Sequence, residues 1–195
     1  MDTEMRGAAA EWLRVQTGAE KLDITGAKLL SGGAIQENWQ LDLAVRGGQL
    51  DGLVQAVLRT DAASGVDESH GRVEEFRLLS AGFKAGMTVP EPLALEPTGS
   101  VIGKPFYVMH KANGTANPRM LTRDATLDPH RTGLARQIGR EMARLHRIRP
   151  PRPELDFLGD APANPAAQRI SELYGFLDSL PKTYPALEWG LRWLE

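Results

Sequence analysis

An alternation of apolar and polar residues beside a glycine turn constrains the fold of this chain most. Four apolar residues alternate with polar or small ones: Trp39, Leu41, Leu43 and Val45. This period of two is typical of a strand with one buried face. The turn Arg46-Gly47-Gly48 follows, and residues 53–59 again have the composition of a strand. Strands joined by a short glycine turn pair in antiparallel fashion, so the sequence predicts an antiparallel sheet.

The flanking segments add strands and helices to this hairpin. Residues 3–17 predict a helix that Gly18 closes in a left-handed conformation, and residues 24–30 predict a strand before the hairpin. A further helix is predicted over residues 72–83 by apolar residues three and four positions apart: Val73, Phe76, Leu79 and Phe83. Residues 93–96 and 105–110 predict two more strands. The expected fold class is therefore α+β, a five-stranded antiparallel sheet with one helix across it.

The composition changes after residue 112. A small-residue and polar connector leads to a long predicted helix with one apolar stripe: Leu134, Ile138, Met142 and Leu145. A proline-rich break at residues 150–153 separates it from two shorter predicted helices near 166–180 and 186–194. We therefore expect two lobes, one with the sheet and the leading helix over residues 1–112 and a helical one over residues 113–195.

Charge and composition narrow the possible partners. The 195 residues carry a net charge of −2 and contain no cysteine. A nearly neutral chain gives no reason to expect a nucleic acid or an acidic membrane surface as partner. Without cysteine there is no disulfide, thiolate metal site or cysteine nucleophile, which fits the cytoplasm. No apolar run approaches the roughly 20 residues of a membrane-spanning helix. The sequence therefore predicts a cytoplasmic protein that binds neither nucleic acid nor membrane.

A glycine-rich turn lies between the first two predicted strands. It consists of Ser31, Gly32 and Gly33. Backbone N–H groups of such a turn can bind phosphate oxygens, and glycine is required because a Cβ atom would block the approach. A glycine pair between two strands is also common as a plain hairpin turn, and both interpretations stay open at this point.

The segment that enters and forms the last strand is the most specific part of the sequence. Val89-Pro90-Glu91-Pro92 is followed by Gly103-Lys104-Pro105-Phe106-Tyr107-Val108-Met109. Upstream lie Leu58-Arg59 and the helix segment Val73-Glu74-Glu75-Phe76-Arg77-Leu78-Leu79. Together with the turn at residues 31–33, these motifs resemble the aminoglycoside phosphotransferase family, close to the phosphotransferase domains related to acyl-CoA dehydrogenase fusion proteins. The resemblance covers the N-terminal lobe and the start of the C-terminal lobe, and it implies a protein-kinase-like fold.

The resemblance also implies ATP and Mg²⁺ as cofactors and gives individual residues a role in nucleotide binding. Arg59 would hold the nucleotide phosphates and pair with Glu75, with arginine in place of the more usual lysine. The turn at residues 31–33 would lie over the phosphates. Backbone groups of a hinge would bind the adenine edge at Met109, His110, Lys111 and Ala112. Taken alone, Arg59 is more consistent with a surface arginine at a strand end, and position alone does not decide between a paired and a solvated Glu75.

A complete enzyme of this family also has a His-Gly-Asp catalytic loop and a second metal-binding Asp, and neither motif occurs in the sequence. Leu158-Gly159-Asp160 with Asn164 imitates that loop. However, leucine replaces the histidine, Asn164 comes one position too early, and prolines interrupt the segment. We therefore assign no catalytic and no metal-binding residue to this chain.

Two functions follow from these observations. The first is an ATP-dependent phosphotransferase for a small-molecule hydroxyl, truncated before its catalytic loop and inactive alone. The alternative is a non-catalytic module that binds a nucleotide or a protein partner. In either case, a missing C-terminal lobe or self-association is expected to cover apolar side chains near the end of the chain that are left partly exposed: Trp189, Leu191, Trp193 and Leu194.

Overall fold

The computed structural model describes residues 1–30, 36–62, 70–114 and 117–195. Within this part of the chain, five strands form one sheet: β1 (Lys21–Leu29), β2 (Gln36–Arg46), β3 (Gly52–Asp61), β4 (Pro92–Glu96) and β5 (Phe106–His110). Their spatial order is β1-β2-β3-β5-β4, and every neighbouring pair is antiparallel. The predicted five-stranded antiparallel sheet is thereby confirmed.

The β2–β3 hairpin turns through glycines whose conformation a side chain would not tolerate. Gly47 and Gly48 have φ values of 72° and 75°, in the left-handed region that favours glycine. A 3₁₀ helix, Gly48–Leu50, completes the turn. A Cβ atom on Gly48 would lie 2.6 Å from the carbonyl oxygen of Thr17. This close approach fixes the hairpin end against the N-terminal segment.

The first helix, α1 (Thr3–Thr17), covers one face of the sheet. The Asp2 side chain accepts a hydrogen bond from the Met5 N–H at its start, and Gly18 ends it with a φ of 67°, as expected. Leu13 is fully buried in the core. The Trp12 ring packs edge-on against the Phe106 ring of β5, with 4.9 Å between the ring centroids. The helix is therefore part of the main core, a role that its sequence did not indicate.

The second helix, α2 (Arg72–Lys84), lies on the opposite face. Its Phe76 ring packs against the Tyr107 ring of β5 at a centroid distance of 5.8 Å. Because successive side chains of a strand alternate between faces, Leu58 of β3 lies in the core beneath α1, whereas Arg59 points to the α2 side. This alternation brings the polar side chains of β3 and β5 to the helix that carries Glu75.

Helices follow the sheet within the same compact unit, which spans residues 1–149. They are α3 (Pro118–Arg123), a 3₁₀ helix (Ala125–His130) and α4 (Arg131–Leu145). The predicted apolar stripe of α4 is exposed at each position: Leu134, Ile138, Met142 and Leu145. The Thr88 N–H and hydroxyl both donate to the Glu141 carboxylate, at 2.9 and 2.8 Å. This bidentate contact ties α4 to the segment that precedes β4.

Residues 150–195 form a second compact unit. It contains a 3₁₀ helix (Pro153–Leu158), α5 (Pro165–Ser179) and α6 (Pro185–Leu194). Trp189 and Trp193 are 75% and 79% exposed, as expected, but Leu191 is only 9% exposed. The expectation for Leu191 was wrong because positions 189 and 193 are four apart and share one side of the helix, whereas 191 points elsewhere.

The predicted α+β class is confirmed by this order of elements. The predicted lobe boundary at residue 112 stays a prediction, since the division into units 1–149 and 150–195 follows compactness alone. Among the described residues, no helix is long and apolar enough to cross a membrane.

Candidate functional site

Arg59 occupies the end of β3 that faces α2. Its Nε donates to the Glu75 Oε2 atom at 2.9 Å, and its Nη2 donates to the side-chain oxygen of Gln36 on β2. The Nη1 atom makes no hydrogen bond to any residue that the structure describes. The Arg59 side chain is 27% exposed. The predicted contact between Arg59 and Glu75 is thus confirmed, and the Nη1 atom has no partner within the described part of the chain.

The Glu75 carboxylate is the centre of the site, and it accepts hydrogen bonds from several side chains. The Gln36 amide donates to Oε1 at 2.6 Å. The Arg72 guanidinium donates from Nη1 to Oε2 at 2.7 Å and from Nη2 to Oε1 at 3.1 Å. The Tyr107 hydroxyl donates to Oε2 at 3.3 Å. One carboxylate is therefore shared by two arginines, an amide and a phenol.

Arg72 is the buried member of this cluster. Its side chain is only 1% exposed. Nε lies 3.0 Å from Asp61 Oδ1, as an ion pair whose angle does not suit a hydrogen bond. Nη2 also donates to the His70 carbonyl oxygen at 3.0 Å. A buried guanidinium needs such partners, because an unpaired buried charge is strongly destabilising.

Tyr107 contributes a neutral phenol to the same face. Burial and the nearby Glu75 carboxylate, opposed by Arg59, together raise the pKa of Tyr107 to about 12. The phenol therefore stays protonated at neutral pH and acts as a hydrogen-bond donor to Glu75. The register of the sheet explains its place, since Tyr107 lies directly opposite Arg59 in the β3–β5 pair.

The residues predicted as a hinge lie at the other end of this strand pair. Met109 is opposite Val57. The His110 N–H donates to the Glu91 carbonyl at 2.8 Å, and the Lys111 N–H donates to the Gln55 carbonyl at 3.0 Å. Those two donors are therefore engaged within the sheet.

Ala112, the last of the predicted hinge residues, differs from the two before it. Its N–H has no hydrogen-bond partner within the described part of the chain. A ligand at this end of the strand pair would therefore meet one open backbone donor. Ala112 lies five positions beyond Tyr107, the residue opposite Arg59, which corresponds to roughly 17 Å of extended chain.

The turn predicted to cover the phosphates, at Ser31, Gly32 and Gly33, lies outside the described residues. Among the residues that are described, no group of three or more histidine or acidic side chains is arranged to hold a metal ion.

The imitation of a catalytic loop has a structural explanation. The Asn164 side chain accepts a hydrogen bond from the Ala167 N–H at 3.1 Å and caps α5. Gly159, with a φ of 68°, ends the preceding 3₁₀ helix. Gly159 and Asn164 therefore have ordinary roles at helix ends, and the rejection of this segment as a catalytic loop stays a prediction.

Three members of the cluster were not predicted from the sequence: Gln36, Arg72 and Tyr107. Arg72 carried a usable signal, because residues three apart on a helix are neighbours and Arg72 precedes Glu75 by that spacing. Tyr107 lies two positions before Met109 and so shares its face of the strand. Gln36 had no comparable signal, since its place depends on the pairing of β2 with β3.

Comparison with known proteins identifies the family. The model of the phosphotransferase enzyme family matches residues 26–195, which is well over half of the chain. A crystal structure from Ralstonia eutropha JMP134, of a "putative aminoglycoside phosphotransferase", is similar with a TM-score of 0.61 and 21% sequence identity over 96% of this chain. The chain spans 51% of the length of that protein. No curated protein matches.

At that identity the structural similarity supports the fold alone, which is the α+β fold of kinase-like proteins. The family model carries the assignment further, because its match begins just before the end of β1 and includes Arg59, Glu75 and the last strand. The chain therefore belongs to the phosphotransferase enzyme family.

Proposed function

We propose that this chain forms the ATP-binding part of a phosphotransferase that modifies a hydroxyl group of a small molecule. One observation carries the proposal. Arg59 is held at a strand end by Glu75 and Gln36, and its Nη1 atom has no hydrogen-bond partner among the residues that the structure describes. Phosphoryl transfer depends mainly on positioning and on stabilising the charge of the phosphates. A fixed arginine with a free edge suits that task, because its planar fork can bind phosphate oxygens through two N–H groups.

The rest of the proposed site follows the same strand pair. The triphosphate would lie against Arg59 and beneath the turn at residues 31–33. The adenine edge would meet the open N–H of Ala112, whereas the N–H groups of His110 and Lys111 are engaged by the sheet. In this proposal ATP, with Mg²⁺ bound to its phosphates, is the cofactor, and Glu75 orients Arg59 without contacting the nucleotide.

Phosphate transfer is expected to need groups beyond those named here. The 195 residues contain no His-Gly-Asp motif, and Asn164 of the imitation motif caps a helix. We therefore propose that this chain by itself binds ATP weakly and transfers no phosphate. Its substrate class, beyond a small-molecule hydroxyl, would be set by residues outside this site.

Equilibrium binding of ATP tests the first part of the proposal. We expect Arg59→Met to weaken binding about tenfold or more, since hydrogen bonds to charged groups contribute roughly 1.5–3 kcal/mol. Arg77→Met is the matched control, because Arg77 is an exposed arginine on the same helix as Glu75. Equal affinities of the wild type and Arg59→Met would refute the proposed phosphate contact.

A transfer assay tests the second part. The chain is incubated with labelled ATP and a panel of amino alcohols and aminoglycosides, and Asp160→Ala serves as the control. We expect no transfer above background with either protein. Turnover that Asp160→Ala abolishes would show that the rejected segment is a working catalytic loop. Absence of ATP binding together with capture of a protein partner would favour the non-catalytic module.

A further inference from the structure

We infer that Arg72 is a positioning residue that keeps part of the Arg59 guanidinium available to an anionic ligand. Arg72 sets the charge balance of the proposed nucleotide site without reaching the ligand itself. The inference rests on the proposed function, because it concerns how the same arginine is prepared for phosphate.

The evidence begins with the way in which two arginines share Glu75. Arg72 approaches the carboxylate end-on, with its two terminal nitrogens on the two oxygens at 2.7 and 3.1 Å. Arg59 approaches from the side, with Nε at 2.9 Å and Nη2 at 3.5 Å from the same carboxylate. The long second contact indicates that Arg59 is held by one good hydrogen bond to Glu75, whereas Arg72 has two.

The difference in burial determines which arginine is fixed. Arg72 is 1% exposed and is also bound to Asp61 and to the His70 carbonyl oxygen. Arg59 is 27% exposed and has an open Nη1 among the described residues. Because Arg72 is buried, it remains paired with Glu75. Arg59 is the partly exposed arginine, and it can therefore change its contacts when a ligand binds.

The sharing of Glu75 between two arginines affects the local charge at Arg59. Among the described residues, two carboxylates balance the two guanidinium groups, but Asp61 pairs with Arg72 alone. Arg59 has only Glu75, which it shares with Arg72, so the positive charge of Arg59 is only partly neutralised locally. Without Arg72, Arg59 would be the one guanidinium among the described residues that contacts Glu75, beside the neutral donors Gln36 and Tyr107. Both carboxylate oxygens could then pair with the Nε and Nη2 atoms of Arg59. Pairing of that kind is the strong bidentate geometry of arginine and carboxylate. The edge that binds an anion would then be more neutral and less accessible.

The reactivity of Arg59 toward phenylglyoxal tests this inference without any nucleotide. The reagent adds to guanidinium groups that are accessible and is hindered at those held by carboxylates. The rate at Arg59 is followed by peptide mass spectrometry, with the exposed Arg136 and Arg140 of α4 as internal standards in each digest. Circular dichroism establishes that each variant is folded at the temperature of the reaction.

We expect Arg72→Met to slow the modification of Arg59 about tenfold, the effect of one further hydrogen bond between charged groups. The double variant Arg72→Met/Glu75→Gln should restore the rate to at least that of the wild type, because the competing carboxylate is gone. A residue that merely supported the fold would show no such restoration by a second change in the same cluster. If Arg72→Met fails to fold, Arg72→Lys replaces it and should slow the reaction by a smaller factor.

An unchanged or faster rate in the folded Arg72 variant would overturn the inference, as would absence of any modification of Arg59 in the wild type. The proposed function is tested separately in the same assay by adding ATP to the wild type, which should protect Arg59. If ATP does not protect Arg59 but Arg72→Met still slows its modification, the nucleotide site is rejected and the positioning role of Arg72 is retained.

Discussion

Replacing Glu75 by glutamine should destabilise the first unit more than any other single charge removal on α2. The substitution keeps the shape of the side chain and removes the negative charge that Arg59 and Arg72 share. A glutamine side chain has one oxygen, so Arg72 would keep at most one of its hydrogen bonds of 2.7 and 3.1 Å to position 75. It would also retain Asp61, which is half-exposed, at 3.0 Å. Breaking a buried ion pair from one side costs about 3–5 kcal/mol.

We expect a value near the lower limit, about 3 kcal/mol, because Asp61 still neutralises part of the charge of the buried arginine. In a unit of this size, 1 kcal/mol corresponds to a decrease of roughly 2–4 °C in the midpoint of thermal unfolding, so the expected decrease is about 6–12 °C. Circular dichroism of the wild type and the variant at neutral pH and moderate salt measures it.

Glu74→Gln is the matched control for this experiment. Glu74 is the adjacent residue in the first turn of α2 and makes no ion pair with any described residue. Its loss should cost no more than the interaction of one carboxylate with the helix N-terminus, about 0.3–1 kcal/mol. Equal midpoints for the two variants would refute the view that Glu75 holds a buried arginine in place.

Further predictions concern the rest of the sheet. Desolvation raises the pKa of the buried Glu96 carboxylate, but hydrogen bonds from the 98–100 turn outweigh it, so the pKa is lowered. Glu96→Gln should therefore lower the midpoint of thermal unfolding at pH 7. The difference in midpoint between the wild type and the variant should disappear as the pH falls through that lowered pKa. Tyr107→Phe should cost about 1 kcal/mol in urea unfolding and remove the tyrosinate absorbance that develops near pH 12. Gly48→Ala should lower the free energy of unfolding by about 1–3 kcal/mol. Gly7→Ala should raise it by about 0.5–1 kcal/mol, because Gly7 lies inside α1 and a Cβ atom there would contact no described residue. A stabilising Gly48→Ala would contradict the close approach at the hairpin.

The elements with a clear period could be predicted from the sequence. The alternation in β2 and the three- and four-residue spacing in α2 gave the sheet and its helix, because burial of one face imposes those periods on any chain. The pair Arg59 and Glu75 was predicted from a motif, and its geometry agrees. The strand limits were less accurate, since β1 begins at Lys21, three residues before the predicted start.

The cluster around Glu75 could be predicted only in part. Arg72 and Tyr107 come to Glu75 from the first turn of α2 and from β5, and their convergence depends on where α2 crosses the sheet. A sequence records which face of an element a residue occupies, but it does not record the distance between two elements. Packing decides that distance, and packing also explains why α1 belongs to the core.

The packing of α1 determines which N-terminal truncations would expose the core of the sheet. The family match begins at residue 26, so a fragment cut at that point would lack Leu13, which is 1% exposed, and the Trp12 ring that covers Phe106. Phe106 is fully buried in β5, and removal of α1 would open that side of the sheet to water. A fragment that keeps this side of the sheet covered therefore includes the first helix, although the part that matches the family model does not.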